Sequence, residues 1–170
     1  MPSSIESVTA ALEDRDRFGH ILNAKIPGMW PPEHLDAPAL EWTLRWLQDP
    51  AHDPSFSAYW LILRDSPDGR VLVGVVGFKD MPSNDGSVEI GYGVVEDYRR
   101  RGFASEGARA LLAHAFAYSN VQRVAAETYP HLAPSLGVME KCRMHFVGDG
   151  SEPGVVRYAI TRAEYEATMR

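Results

Sequence analysis

The stretch EIGYGVVEDYRRRGFASEGARALLAHAF, residues 89–116, constrains the fold more than any other part of the chain. It ends a β-rich run, SVEIGYGVV (87–95), and passes through three arginines and a glycine. In the small-residue segment that follows, Ala104, Ala108, Leu111 and Ala115 share one face at helical spacing, with Leu112 and Phe116 beside it. The spacing predicts a helix over 102–118. A strand feeding a helix in this way returns by a crossover, so the next strand-like run, VQRVAAETY (121–129), is expected to pair parallel. Upstream, AYWLILR (58–64) and VLVGVVGFK (71–79) flank the turn residues SPDG (66–69), and SNDG (83–86) precedes 87–95. These three strands read as consecutive hairpins and hence as antiparallel.

The rest of the chain supplies covering elements. Residues 4–24 predict one helix, with Val8, Ala11, Leu12, Phe18, Ile21 and Leu22 near one face, and 39–48 a second that stops near Pro50. KIPGMWPPEHLDAP between them holds four prolines and is a loop. Residues 134–143 predict a short helix, VVRYAIT (155–161) a last strand, and a short C-terminal helix follows. The expected class is α/β: a mixed, mostly antiparallel central sheet with helices on both faces, in a single domain over 1–170.

Composition narrows the function. At 45% hydrophobic and 24% charged the chain has material for a core and is not a disordered segment. A net charge of -6 argues against a nucleic-acid partner. Cys142 is the single cysteine, so no intrachain disulfide forms and a reducing, cytoplasmic setting fits. No apolar run reaches membrane-spanning length, and MPSSIESVTAALEDRDRF lacks the apolar core of a signal peptide. Neither a membrane nor a nucleic acid is therefore an expected partner.

In so acidic a chain, three adjacent arginines need a local reason. The first turn of a helix presents unpaired backbone N–H groups and the positive end of the dipole, which suits a phosphate. Gly102 lets a ligand approach the backbone, Ala104 and Ser105 are small, and Arg99, Arg100 and Arg101 add charge just before the turn. The reading is a pyrophosphate cradle; the alternative is a solvated surface run. GYGVVE (91–96) has only two glycines of a dinucleotide fingerprint and opens no helix, and the sequence holds no G-x-x-x-x-G-K-[ST] motif.

The whole pattern resembles the central motif of the GNAT superfamily of N-acetyltransferases. Within that superfamily it is most similar to the ribosomal-protein N-terminal acetyltransferase (RimJ/RimL-like) branch. The motif runs strand, [Q/R]-x-x-G-x-[G/A], helix; Arg99, Gly102 and Ala104 fill its three fixed positions. ETYPHLAPSLGVMEKCRMHFVGDG (127–150) resembles the second segment and VVRYAITRAEYEA the usual ending, so the likeness covers about 58–165. The resemblance implies a GNAT fold whose middle strands splay apart, acetyl-CoA as cosubstrate and no metal. It implies backbone groups of Val94 and Val95 against the pantetheine, with Gly93 aiding the divergence. The N–H groups of Arg101, Gly102, Phe103, Ala104 and Ser105 would hold the pyrophosphate. Homodimers are common in the family, so a homodimer is one expected assembly.

The implied reaction is direct attack of a primary amine, on a small molecule or a protein N-terminus, on the acetyl thioester in a ternary complex. An alkylamine of pKa near 10 is only about one part in a thousand neutral at pH 7, a penalty of roughly 4 kcal/mol; an α-amino group carries about a quarter of that or a little more. A carboxylate that takes the proton is therefore useful. Glu89 is the first candidate, since alternation sets it opposite Ile90 and Tyr92 on its strand and a glutamate often stands there in the related branch. Glu127 is the second, and Glu106 reads as a first-turn structural residue. For both bases the alternative is a structural ion pair.

Several positions depart from the family. The tyrosine that usually protonates the leaving thiolate is Met139, the Gly-Phe pair after it is Arg143-Met144, a usual glycine is Arg100, and a usual asparagine is Leu132. Ser135 matches a serine of the branch and either donates to the thiolate or caps its helix. His114 reads as surface, His131 as a loop residue able to shuttle protons, and Cys142 as a core thiol. Trp30 in the proline-rich loop and Tyr92 are candidates for the acceptor pocket, while Trp42 and Trp46, four apart on a helix, read as core packing. These departures leave a second function class open: a degenerate acyl-CoA-binding sensor or partner module. The first strand usual to the family is missing or irregular before residue 25.

Overall fold

The computed structural model describes residues 1–168. Its strands, β1 (Ala58–Ser66), β2 (Gly69–Phe78), β3 (Ser87–Val94), β4 (Arg123–Thr128), β5 (His145–Asp149) and β6 (Val156–Thr161), follow the order β1-β2-β3-β4-β6-β5 in a mixed sheet. The chain falls into two compact units, one of residues 1–77 and 92–104, the other of 78–91 and 105–170, whose last two residues lie outside those described.

The first unit carries α1 (Ile5–Glu13), α2 (Arg15–Leu22), α3 (Ala37–Gln48), β1 (Ala58–Ser66) and nearly all of β2 (Gly69–Phe78). The single helix expected over 4–24 is two. Asp14 is extended, with φ -149° and ψ 97°; its N–H closes α1 on Ala10 O while its carboxylate accepts the N–H groups of Asp16 and Arg17 and opens α2. A local aspartate cap has outcompeted helix continuation, which apolar spacing alone does not register. Ser4 opens α1 through a reciprocal capping box with Ser7. Strands β1 and β2 form the expected antiparallel hairpin, closing at Ser66 opposite Gly69. The core of this unit is aromatic: Phe18 lies 5.1 Å from Trp60 and 5.8 Å from Trp30, Trp30 lies 5.9 Å from Trp60, and Val8, Leu22, Leu40, Leu72 and Val95 pack around them. The buried Trp60 indole donates to Ser7 Oγ at 3.0 Å, so its polar edge is satisfied. In place of a first strand before residue 25 there are only single bridges, Pro2 to Tyr59 and Lys25 to Val71.

Strand β3 (Ser87–Val94) runs from the second unit into the first. Its antiparallel relation to β2 shows within each unit: Lys79 N–H donates to Glu89 O, and Val95 N–H donates to Val73 O. Gly74 permits the close approach, because a Cβ there would stand 2.3 Å from Gly93 O.

The second unit holds most of α4 (Phe103–Phe116), then β4 (Arg123–Thr128), α5 (Ala133–Lys141), β5 (His145–Asp149), β6 (Val156–Thr161) and α6 (Arg162–Ala167). Strand β4 pairs parallel with β3, as the crossover requires, but only over Ser87 to Glu89 with Arg123 to Ala125. It pairs antiparallel with β6 along its whole length. Strand β5 was not expected from sequence. HFVGD is an exposed edge strand with Phe146 57% exposed, so it carries no burial alternation, and pairing with β6 makes it a strand. Arg162, opening α6, fixes the end of the crossover: its guanidinium donates to the carbonyls of Phe116, Tyr118 and Val121. Among the described residues no helix is long and apolar enough to cross a membrane.

Candidate active site

The arginine turn belongs to the first unit. After β3 a single 3-10 turn, Glu96–Tyr98, leads to Arg99, and the backbone then takes left-handed conformations at Arg100 (φ 61°) and Gly102 (φ 91°) before α4 begins at Phe103. Two of the three arginines are tied down by the turn itself. Arg99 donates from Nε to Val94 O at 3.1 Å and reaches Glu33 at 3.3 Å; Arg101 donates to Asp97 O at 3.1 Å and lies 5.2 Å over the Tyr98 ring. All three remain exposed, as does Gly102, whose Cβ position meets nothing within 4 Å. Phe103 and Ala104 are half-buried, Ser105 is buried and Glu106 is exposed. The result is an open, cationic turn in front of a fourteen-residue helix. Val94 and Val95 are buried, and Val95 already uses its N–H on Val73 and its carbonyl on Tyr98.

The two candidate bases lie together in the second unit, joined by a residue the sequence reading passed over. Glu89 on β3 is held at Oε1 by Lys79 Nζ at 2.6 Å and at Oε2 by Arg157 Nη2 at 2.9 Å. The same guanidinium binds Glu127 Oε1 on β4, at 2.8 Å from Nε and 2.7 Å from Nη2. Glu127 is completed by Ser151, whose N–H donates to Oε1 at 2.9 Å and whose hydroxyl donates to Oε2 at 2.6 Å. Arg157 stands directly opposite Glu127 in the β4–β6 register, which sets the geometry. The Glu127 side chain is 6% exposed. Burial pushes its carboxyl pKa up, but the Ser151 bonds and the Arg157 guanidinium together outweigh burial and hold it below the ordinary carboxylate value. The signal available in the sequence was Arg157 itself: an arginine inside VVRYAIT must find a carboxylate if its neighbours are buried.

The other sequence candidates separate. Ser135 is the third residue of α5, and the cap position is Leu132, which has no capping side-chain bond; the capping alternative for Ser135 therefore fails. Met139 is 1% exposed and belongs to the core. Arg143 follows α5 with φ 58°, and the turn closes by Arg143 N–H to Glu140 O and Met144 N–H to Met139 O, a Schellman arrangement that favours glycine at Arg143. Trp30 sits inside the aromatic cluster at 8% exposure, so nearly all its surface serves packing. Tyr92 is half-buried on β3. Trp42 is not core: it is 43% exposed and its ring lies tilted against that of Trp46 at 5.2 Å, because the buried side of α3 runs through Leu40 instead. His114 is not free surface either, but lies 5.8 Å from the Phe78 ring and 5.3 Å from that of Tyr118. His131 is exposed and stacked on Tyr129, and Cys142 is buried, with desolvation raising its thiol pKa. Among the described residues no group of three or more His, Cys, Asp or Glu is placed to hold a metal ion.

The acetyltransferase (GNAT) domain family matches residues 8–145. The chain belongs to that family. A curated relative, an uncharacterized N-acetyltransferase of Bacillus subtilis named YnaD, is 34% identical over 88 residues, 52% of this chain and 49% of that protein. The curated relatives are matched over half their length or less. Among solved structures, a GNAT-family acetyltransferase from Bacillus anthracis superposes with a TM-score of 0.58 at 24% identity, covering 94% of this chain and 90% of that one. An aminoglycoside acetyltransferase in complex with coenzyme A superposes with a TM-score of 0.67 at 16% identity, covering 100% of this chain and 98% of that one. At these identities the structural likenesses establish the GNAT acetyltransferase fold.

Proposed function

We propose that the protein transfers an acetyl group from acetyl-CoA to a primary amine, by direct attack in a ternary complex. The observation that carries this reading is the open, cationic Gly102 turn ahead of α4 in a chain of the GNAT family. The residues present fit a pyrophosphate. Gly102 is exposed with free space at its Cβ position, the exposed Arg100 and Arg101 supply charge, and the first turn of α4 supplies a dipole. Arg99 supports the turn through Val94 O and Glu33. Acetyl-CoA, proposed to be held by the backbone of residues 101–105 and by Val94, supplies the activated acyl group; Val95, whose N–H and carbonyl are paired with Val73 and Tyr98, is buried without a free backbone group. The coenzyme A complex of the aminoglycoside acetyltransferase relative supports that cosubstrate.

The chain's own part is proton handling and positioning. Glu89 accepts the proton of the attacking ammonium at Oε1, the oxygen that Lys79 contacts, so the exposed Lys79 side chain must swing aside. Arg157 keeps Oε2 fixed, and Glu127 with Ser151 keeps Arg157 fixed. Glu127 is the weaker choice of base, because its side chain is 6% exposed and both its oxygens are already held, one by Arg157 and Ser151 N–H and the other by the Ser151 hydroxyl. Ser135 is the residue of α5 proposed to donate to the leaving thiolate, and Tyr92 is proposed for the acceptor side; Trp30, expected there from sequence, is instead committed to the aromatic core. The family match runs through both compact units, which supports one acyltransferase domain. Within the superfamily we place the chain nearest the ribosomal-protein N-terminal acetyltransferase branch.

A degenerate acyl-CoA-binding module is the second reading, favoured by the buried Met139 at the usual acid position. Calorimetric titration with acetyl-CoA, followed by thiol release across a panel of amines, tests both. Micromolar binding with turnover of any amine supports the enzyme. Binding without turnover of any amine supports the module. A folded protein that binds no acetyl-CoA refutes both.

A further inference from the structure

We propose that Lys79 is an internal acyl acceptor: without an outside amine, the protein acetylates its own Lys79 at Nζ. The inference rests on the acetyl-CoA reading above, and the site itself rests on geometry within the second unit. Lys79 Nζ stands 2.6 Å from Glu89 Oε1, a distance at which a proton passes directly between nitrogen and oxygen. The pairing is built into the sheet, because Lys79 N–H also donates to Glu89 O at 2.9 Å and so places both side chains side by side. The other oxygen of Glu89 is fixed by Arg157, which leaves Oε1 as the one facing an amine. A primary ammonium on the oxygen assigned to the acceptor is what a bound substrate amine would look like.

The lysine can also move. Its side chain is 51% exposed against 17% for Glu89, and its four-carbon stem carries the nitrogen over several ångströms by rotation alone. Only two other lysines exist in the chain. Lys25 pairs with Asp68 in the other unit, and Lys141 is the last residue of α5.

The step balances. Glu89 takes a proton from the Lys79 ammonium, and the neutral nitrogen attacks the thioester carbonyl carbon of acetyl-CoA. The N–C bond forms, the C–S bond breaks, and coenzyme A leaves as a thiolate. The second proton lost from nitrogen protonates that thiolate, directly or through water. The product is Nε-acetyl-Lys79 and free coenzyme A thiol. Acetylation removes the charge on Lys79 and with it the ion pair, which leaves Glu89 Oε1 open to an outside ammonium.

The test uses the full chain, isotopically labelled acetyl-CoA and peptide mass spectrometry, with calorimetric binding of acetyl-CoA measured on each variant. The expected result is label on Lys79 at least tenfold above Lys25 and Lys141. Glu89→Gln should lower that labelling rate at least tenfold, and Lys79→Arg should abolish it with acetyl-CoA affinity unchanged. Equal labelling of the three lysines, or labelling of Lys79 that Glu89→Gln leaves unchanged, means chemical acetylation and overturns the inference. Tight acetyl-CoA binding with amine turnover but no label on Lys79 overturns the inference alone. No acetyl-CoA binding by folded protein overturns it together with the reading on which it rests.

Discussion

The arginine turn and the Glu89–Arg157–Glu127 cluster concentrate charge in opposite ways. In the turn, three arginines within one loop remain exposed, and Arg99 and Arg101 donate chiefly to nearby backbone carbonyls. In the cluster, charges from β3, β4, β6 and the end of β2 neutralise one another, with Glu127 nearly sealed from solvent. Exposed charge is available to a ligand and contributes little to the fold. Buried, mutually satisfied charge is fixed in place, and removing one partner is expensive. The two regions should therefore respond differently to the same kind of substitution.

The largest contrast is expected from Arg157→Met. It leaves Glu127 buried without its cation, which should cost about 3 kcal/mol in urea unfolding. The double change Arg100→Glu, Arg101→Glu should cost no more than about 0.5 kcal/mol, as for exposed positions. Equal losses from the two would break the distinction between the regions.

Ligand affinity should reverse the ranking. Arg100→Glu with Arg101→Glu should weaken acetyl-CoA binding at least tenfold by calorimetry, about 1.4 kcal/mol. A Gly102→Ala control separates charge from backbone, since φ at Gly102 is 91° and any side chain there is strained. If the alanine weakens binding as much as the two glutamates, the arginines are not what holds the anion.

Acid sharpens the cluster's side. The Glu127 pKa is depressed in the folded protein, so its contribution is complete above the unfolded value of 4.5 and is lost as pH falls through the folded value. Thermal midpoints from pH 6 downward should drop below about pH 4.5, and Glu127→Gln should flatten that drop. An unchanged slope in the variant would show that other carboxylates dominate acid unfolding.

The same contrast explains what the sequence disclosed. The turn was legible because its parts are adjacent in the chain: strand, arginines, glycine and helix follow one another within 87–116. The crossover then fixed parallel pairing of 87–95 with 121–129, and β3 and β4 pair that way. Of the cluster, Glu89 and Glu127 were visible as carboxylates on strands, but Arg157 joins them through the β4–β6 register, Lys79 through its backbone pairing with Glu89 just beyond β2, and Ser151 from the turn between β5 and β6. Strand β5 was hidden for a like reason, since its partner β6 and not its own pattern defines it. The break at Asp14 was local but written in capping rather than in apolar spacing. Trp42 was misread because helical spacing gives a stripe without saying which side of α3 is buried.

The smallest expected effects isolate the turn most cleanly. Two arginines lie on left-handed backbone where glycine would be at ease, one in the turn and one outside both regions: Arg100 with φ 61°, and Arg143 with φ 58° after α5. A non-glycine residue there costs about 1 kcal/mol in the folded state, and glycine gives back roughly half of that through its freer unfolded chain. Both Arg143→Gly and Arg100→Gly should therefore stabilise the fold by about 0.5 kcal/mol in urea unfolding. Their effects on acetyl-CoA should differ. Arg143→Gly should leave affinity unchanged, because the Schellman turn of α5 only ends a helix. Arg100→Gly should weaken it several-fold, because the turn loses an exposed charge while its backbone relaxes. A stabilised Arg100→Gly protein with full affinity would mean that the strained arginine serves neither the fold nor the cosubstrate, and the run of three would then reduce to Arg99 and Arg101.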